Sequence, residues 1–126
     1  MRTLLAALLL GALFSWDQEP APAAPAKLFA VVFRTGPAWD QEKPPSQQSF
    51  FKEHSQNLAA LRKAERIALG GRYADVGLIV VRAADVAEAR SLLRDDPSLL
   101  AGVFQADVHA WSTIYDGCTS ATPTPR

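Results

Sequence analysis

A chain of 126 residues that is 48% hydrophobic and 21% charged holds one domain with one core, and is globular rather than disordered. Its formal net charge is zero and its basic residues are scattered, so it lacks the clustered positive surface that nucleic-acid binding requires. Its one cysteine, Cys118, excludes an internal disulfide, and no spacing of its histidines, cysteines or acids resembles a zinc or calcium motif.

The first residues read as an export signal. Arg2 forms a short positive start, and the apolar run Leu4 to Phe14 follows it. That run is too short to span a bilayer, which takes roughly 20 residues. Ala21-Pro22-Ala23 and Ala24-Pro25-Ala26 both present small residues at a cleavage site. Residues 1–26 are therefore expected to be a signal peptide with an Ala/Pro-rich spacer, and the protein to be secreted or periplasmic, with no membrane association after cleavage. Losing Arg2, Asp17 and Glu19 removes one positive and two negative charges and leaves a net +1.

Leu28 to Arg34 reads as a strand that is apolar on both faces and ends at Thr35-Gly36-Pro37. A proline-containing loop follows to residue 45. Ser46 is suited to cap a helix running to Leu69, with Phe50, Phe51, Leu58 and Leu61 at helical spacing and Gly70-Gly71 as its stop. His54 falls among those apolar residues on the helical wheel, so it faces inward or lines a pocket. Ala68 to Ala74 holds a short strand, Asp75-Val76-Gly77 turns the chain back, and Leu78 to Arg82 is a second strand apolar on both faces.

Asp85 caps a second helix with Glu88 three residues on, in the manner of a capping box. Val86, Ala89, Leu92 and Leu93 form its buried face. Pro97 disfavours helical geometry at Asp96, which stops that helix, and suits the first position of a short helix ending at Gly102. The last strand runs from Phe104 to about Tyr115, with Ala106, Val108 and Ala110 on one face and Gln105, Asp107, His109 and Trp111 on the other. Cys118 marks the domain edge, and residues 118–126 form a Thr/Pro tail expected to be disordered. The domain is thus 27–117. The order strand, helix, strand, strand, helix, strand predicts an α+β fold of the ferredoxin-like βαββαβ kind. Its four-stranded antiparallel sheet would carry two helices on one face. The other face would then be apolar and bare, which predicts a homodimer stacked sheet on sheet, with His109 and Trp111 at its interface.

Two residues carry the acid–base signal. An unperturbed imidazole titrates near pH 6.5, so His54 can take or give a proton, and a carboxylate beside it would fix its tautomer and stabilise the imidazolium. The alternative for His54 is a core histidine bonded to a backbone carbonyl. Asp96 has an N-cap role ahead of Pro97, and one oxygen can cap while the other orients His54. Asp95 could exchange roles with it. Arg72 matches a planar carboxylate or phenolate, or else is a solvated strand residue.

His54 followed by Leu58 and Leu61, Gly70-Gly71, Asp95-Asp96-Pro97 leading into Ala101-Gly102-Val103-Phe104, and Val108 to Trp111 together resemble the YCII-related family of small ferredoxin-like proteins. The resemblance spans Leu28 to Tyr115. It implies a homodimer without a cofactor and a His/Asp-centred catalytic site, here His54 and Asp96, with Gly71 and Arg72 binding a small-molecule substrate. The chain departs from the family pattern in its export signal and in Arg72, which stands where a proline is common and favours an anionic substrate. The function expected is an exported acid–base enzyme for elimination or isomerisation of a small organic substrate. The alternative is a non-catalytic domain that binds a small ligand or supports an assembly.

Overall fold

The strand Lys27–Thr35 (β1), apolar on both faces, is one of the two central strands of a four-stranded sheet. In this computed structural model, which describes residues 26–117, it pairs antiparallel with Val76–Ala83 (β3) on one side and Phe104–Ala110 (β4) on the other. Ile67–Tyr73 (β2) pairs antiparallel with β3, so the strand order is β2-β3-β1-β4. The expected signal peptide and spacer (apart from Ala26), Cys118 and the Thr/Pro tail lie outside the described residues. Among the described residues no helix is long and apolar enough to cross a membrane.

Alternation along β1 and β3 sends Phe29, Val31, Phe33, Ile79, Val81 and Ala83 to the helix side, where they pack with Ala89 and Leu93. Leu58 and Leu61 of the helix Phe51–Lys63 (α1) and Ala106 and Val108 of β4 close over that cluster. The opposite face carries Leu28, Ala30, Val32, Leu78 and Val80. Its centre is not bare: Ala30 and Val80 are 8% and 1% exposed, and an Arg34–Asp107 ion pair of 2.8 Å lies toward one end. Leu28, Val32 and Leu78 are half-buried.

Helix α1 is shorter than its hydrophobic spacing predicts. Ser46 does not cap it. Pro44 and Pro45 instead start a single 3-10 turn, Pro45–Gln47, after which Gln48 is buried. The Gln48 amide closes the preceding loop, accepting from the Asp40 N–H (2.9 Å) and donating to the Asp40 and Lys43 carbonyls (2.6 and 2.9 Å). The helix begins after Phe50, which has a φ of 60° and makes no side-chain cap. At the other end Glu65 takes φ 59° and the chain leaves the helix there. The Glu65 N–H donates to Arg62 O (3.0 Å) and the Arg66 N–H to Leu61 O (2.9 Å), the paired bonds of a Schellman ending. Gly70-Gly71 is therefore not a helix stop but lies inside β2.

The remaining elements follow local rules. The hairpin joining β2 to β3 turns at Ala74-Asp75, one residue earlier than the sequence suggests, and Ala74 has φ 50°. Asp85 accepts from the Glu88 N–H to cap Val86–Ser91 (α2), while the Glu88 carboxylate accepts from the Ala84 N–H and pairs with Arg66 of the β2 approach. Helix α2 ends at Ser91, ahead of the Asp96 boundary expected from Pro97, and turns occupy residues 92–95. Pro97–Leu100 (α3) starts at the proline and is followed by Gly102 with φ 72°. Strand β4 stops at Ala110 rather than Tyr115.

Gly36 and Gly102 join the loop after β1 to the end of α3. The Gly36 N–H donates to Val103 O (2.8 Å) and the Ala38 N–H to Gly102 O (3.0 Å). A Cβ on Gly36 would lie 2.1 Å from that Gly102 oxygen, so no larger residue fits. These positions give a test with opposite signs. Glu65→Gly and Ala74→Gly remove left-handed strain and should each stabilise by about 0.5–1 kcal/mol, a rise of about 2–8 °C in melting temperature. Gly36→Ala should destabilise by about 2 kcal/mol or more in the same thermal melts.

Candidate active site

Asp96 is the N-cap of α3, held there by Pro97 at the first helical position. Its side chain is fully enclosed and all of its acceptor directions are used. Oδ1 accepts from the Ser98 N–H (3.0 Å) and hydroxyl (2.7 Å), and Oδ2 accepts from His54 Nδ1 (2.8 Å) and Asn57 Nδ2 (3.1 Å). His54 and Asn57 stand three residues apart on α1, hence on one face of that helix. The carboxylate therefore ties α1 to α3. Asp95, the other member of the acid pair, is exposed.

Burial pushes the Asp96 carboxyl up, but the hydrogen bonds from Ser98, His54 and Asn57 outweigh it and hold the group below the usual carboxylate range. An ionised carboxylate only accepts, so Nδ1 of His54 must carry the proton of their shared bond. In the neutral imidazole the lone pair then sits on Nε2, which has no hydrogen-bond partner among the described residues. The ring is fixed on its two flanks: Phe33 meets it edge-on with centroids 5.0 Å apart, and Phe104 lies tilted at 4.9 Å.

His54 forms part of the wall of a cavity of about 640 Å³, a size that suits a small molecule. The wall is largely aromatic, from Phe33, Trp39, Phe51 and Phe104, with the rings of Trp39 and Phe51 tilted against Phe104 at centroid distances of 5.4 and 6.5 Å. Gln41 and Pro45 close one side from the loop that Gln48 ties shut. Arg72 and Asp75 contribute the formal charges, and Gly71 also lines the space.

The side of β2 that Arg72 occupies is set by a bulge. The pairing shifts between Ile67 and Leu69, so Ala68 is an extra residue. Ile67 pairs with Val81 on the helix side, and after the shift Gly70 and Arg72 share that side, opposite Ile79 and Gly77. Simple alternation from Ile67 would have turned Arg72 away from His54.

The sequence reading thus finds His54 and Asp96 in contact, and Gly71 and Arg72 on the same cavity. His109 stands on the opposite face, paired across from Ala30, and Trp111 Nε1 donates to Thr113 Oγ1 (3.0 Å), so neither meets the site. Asn57 and Ser98 were missed as Asp96 donors, although their spacing from His54 and Pro97 is a usable signal. Trp39, Phe104 and Asp75 had none. Among the described residues no three His, Cys, Asp or Glu side chains gather as metal ligands.

A lowered aspartate makes a signed prediction. The stability that Asp96 supplies should be complete above the unfolded-state aspartate pKa of about 3.9 and be lost as pH falls through the lower folded value. Denaturant titrations from pH 7 to pH 2 should show this acid loss, and it should shrink in Asp96→Asn. Equal acid dependence in both proteins would mean that the carboxylate does not hold the helices together.

A scan against protein-family models and a search of curated proteins return no match to this chain.

Proposed function

We propose that the protein is an acid–base enzyme acting on a small organic molecule, with His54 as the proton-transfer group and Asp96 as its positioning partner. The observation that carries this is the 2.8 Å bond from His54 Nδ1 to a buried carboxylate, which leaves Nε2 unpaired on the wall of an apolar cavity. Nε2 takes a proton from a substrate carbon, and the imidazolium that forms is stabilised by Asp96. In an isomerisation the same proton returns to a different carbon of the substrate. In an elimination the C–H electron pair becomes the new double bond, and the leaving group departs with its own pair. A buried, desolvated dyad favours both, since the carboxylate need not reorganise as charge develops on the ring.

Within the same proposal the chain is a ferredoxin-like, YCII-related domain. The strand order β2-β3-β1-β4 with the helices on one face supports the first part, and the motif around Asp96-Pro97 and Gly102-Val103-Phe104 supports the second. Export as a secreted or periplasmic homodimer completes it, resting on the Arg2 and Leu4–Phe14 pattern and on the half-buried Leu28, Val32 and Leu78.

The catalytic reading is tested by incubating the protein in D2O with a panel of small unsaturated and β-substituted carboxylic acids, following deuterium uptake and product by NMR. His54→Gln should lower turnover about 100-fold or more while leaving the fold intact, and Asp96→Asn should lower it less. Turnover that survives His54→Gln would sink the proposal. The assembly reading is tested separately on the exported protein. Its intact mass should lack the first 23 to 26 residues, and sedimentation at micromolar concentration should give twice the monomer mass. A full-length cytoplasmic monomer would overturn it.

A further inference from the structure

Resting on that reading, the geometry points to the class of ligand: we infer that the cavity takes a single planar ring bearing one carboxylate, laid over Gly77 with its carboxylate on Arg72. The sheet register supplies the argument. Arg72 pairs with Gly77 and Gly77 pairs with Phe33, so the three form one row across β2, β3 and β1 on the helix side. Phe33 supports the His54 ring at the far end of that row. Two strand spacings separate the Arg72 and Phe33 backbones, roughly 10 Å. A row of that length is on the scale of one ring with its carboxylate, and Gly77 at its centre contributes no side chain to fill it.

Gly77 is what leaves the row open. Its backbone lies outside the left-handed region, so the fold does not require glycine there. The atoms nearest to a Cβ there belong to Phe33, at ordinary contact distances of 3.5 Å and more, so the backbone and its neighbours would accept an alanine. Glycine inside a strand weakens it, and where no turn or bulge asks for it, it marks a close approach by something else. Here the unfilled position is part of the cavity lining.

Arg72 is the one basic side chain on the cavity wall apart from His54, and among the described residues it makes no ion pair. Its planar fork matches a carboxylate in two parallel bonds. Asp75 lies on the same wall beyond the hairpin turn. Its negative charge admits one carboxylate at Arg72 and opposes a second, which restricts the ligand to a monoacid. The aromatic walls at Trp39, Phe51 and Phe104 suit the ring itself.

Calorimetric or NMR titration of the full-length protein with benzoate and with its neutral isostere benzamide tests this. Benzoate should bind at least about tenfold more tightly than benzamide, and Arg72→Gln should abolish that difference by weakening benzoate alone. Asp75→Asn should tighten benzoate. Gly77→Val should remove binding of both, and the smaller Gly77→Ala should weaken both while its melting temperature shows that the protein is folded. Failure of benzoate to bind at millimolar concentration, equal affinity for the two probes, or full affinity in Gly77→Val would each overturn the inference. Binding is read without turnover, so these outcomes are independent of whether His54 moves a proton.

Discussion

The Asp96 carboxylate is the contact on which the rest of the molecule is arranged. It terminates one short helix, anchors the side of another and selects the tautomer of a histidine, all with two oxygens. Helix α3 has only four residues, too few to hold itself in water, so its existence depends on the cap and on Pro97 rather than on its own hydrogen bonds. Because the capping oxygen and the histidine-binding oxygen belong to one rigid group, the position of α3 and the orientation of His54 cannot vary independently. The Gly36–Gly102 contact then carries the same constraint to the loop after β1, which delivers Trp39 to the cavity.

The parts of this arrangement that were legible in the sequence are those set by neighbours along the chain. Pro97 after Asp96, Glu88 after Asp85 and the wheel position of His54 each obey a rule that spans a few residues, and each took the expected place. What was not legible depends on contacts across the fold. Ser46 has the chemistry of a cap, but Gln48 gains three hydrogen bonds by closing the loop behind it, and the helix starts later. Gly70-Gly71 has the composition of a helix stop, yet Glu65 accepts the left-handed conformation first and those glycines extend a strand. The bulge at Ala68 has no local signature at all, although it decides which face Arg72 occupies.

The glycines divide by what they answer to. Gly36 and Gly102 answer to the backbone: one faces a carbonyl at a distance no Cβ could share, and the other holds a positive φ. Phe50, Glu65 and Ala74 show the opposite condition, with side chains carried at positive φ where glycine would be cheaper. Phe50 is the informative member of that set: it is the N-cap of α1, directly before Phe51 and four residues before His54, both of which line the cavity. Strain of about 1–3 kcal/mol persists only where the surroundings dictate it, and it concentrates where geometry is used for function.

A buried polar pair is weak evidence of stability in its own right. Taking a carboxylate and an imidazole out of water costs several kcal/mol, and apolar side chains of the same volume fill such a space at least as well. Here the carboxylate recovers that cost through four hydrogen bonds, so Asp96 is accounted for by folding alone. His54 is accounted for in part. It supplies one of those four bonds, and Asn57 and Ser98 supply the other three. What the imidazole adds is an unpaired nitrogen at the cavity wall, with its proton placed on the other side by the carboxylate. Stability alone does not call for that atom, and this is the physical ground on which the proton transfer proposed above rests.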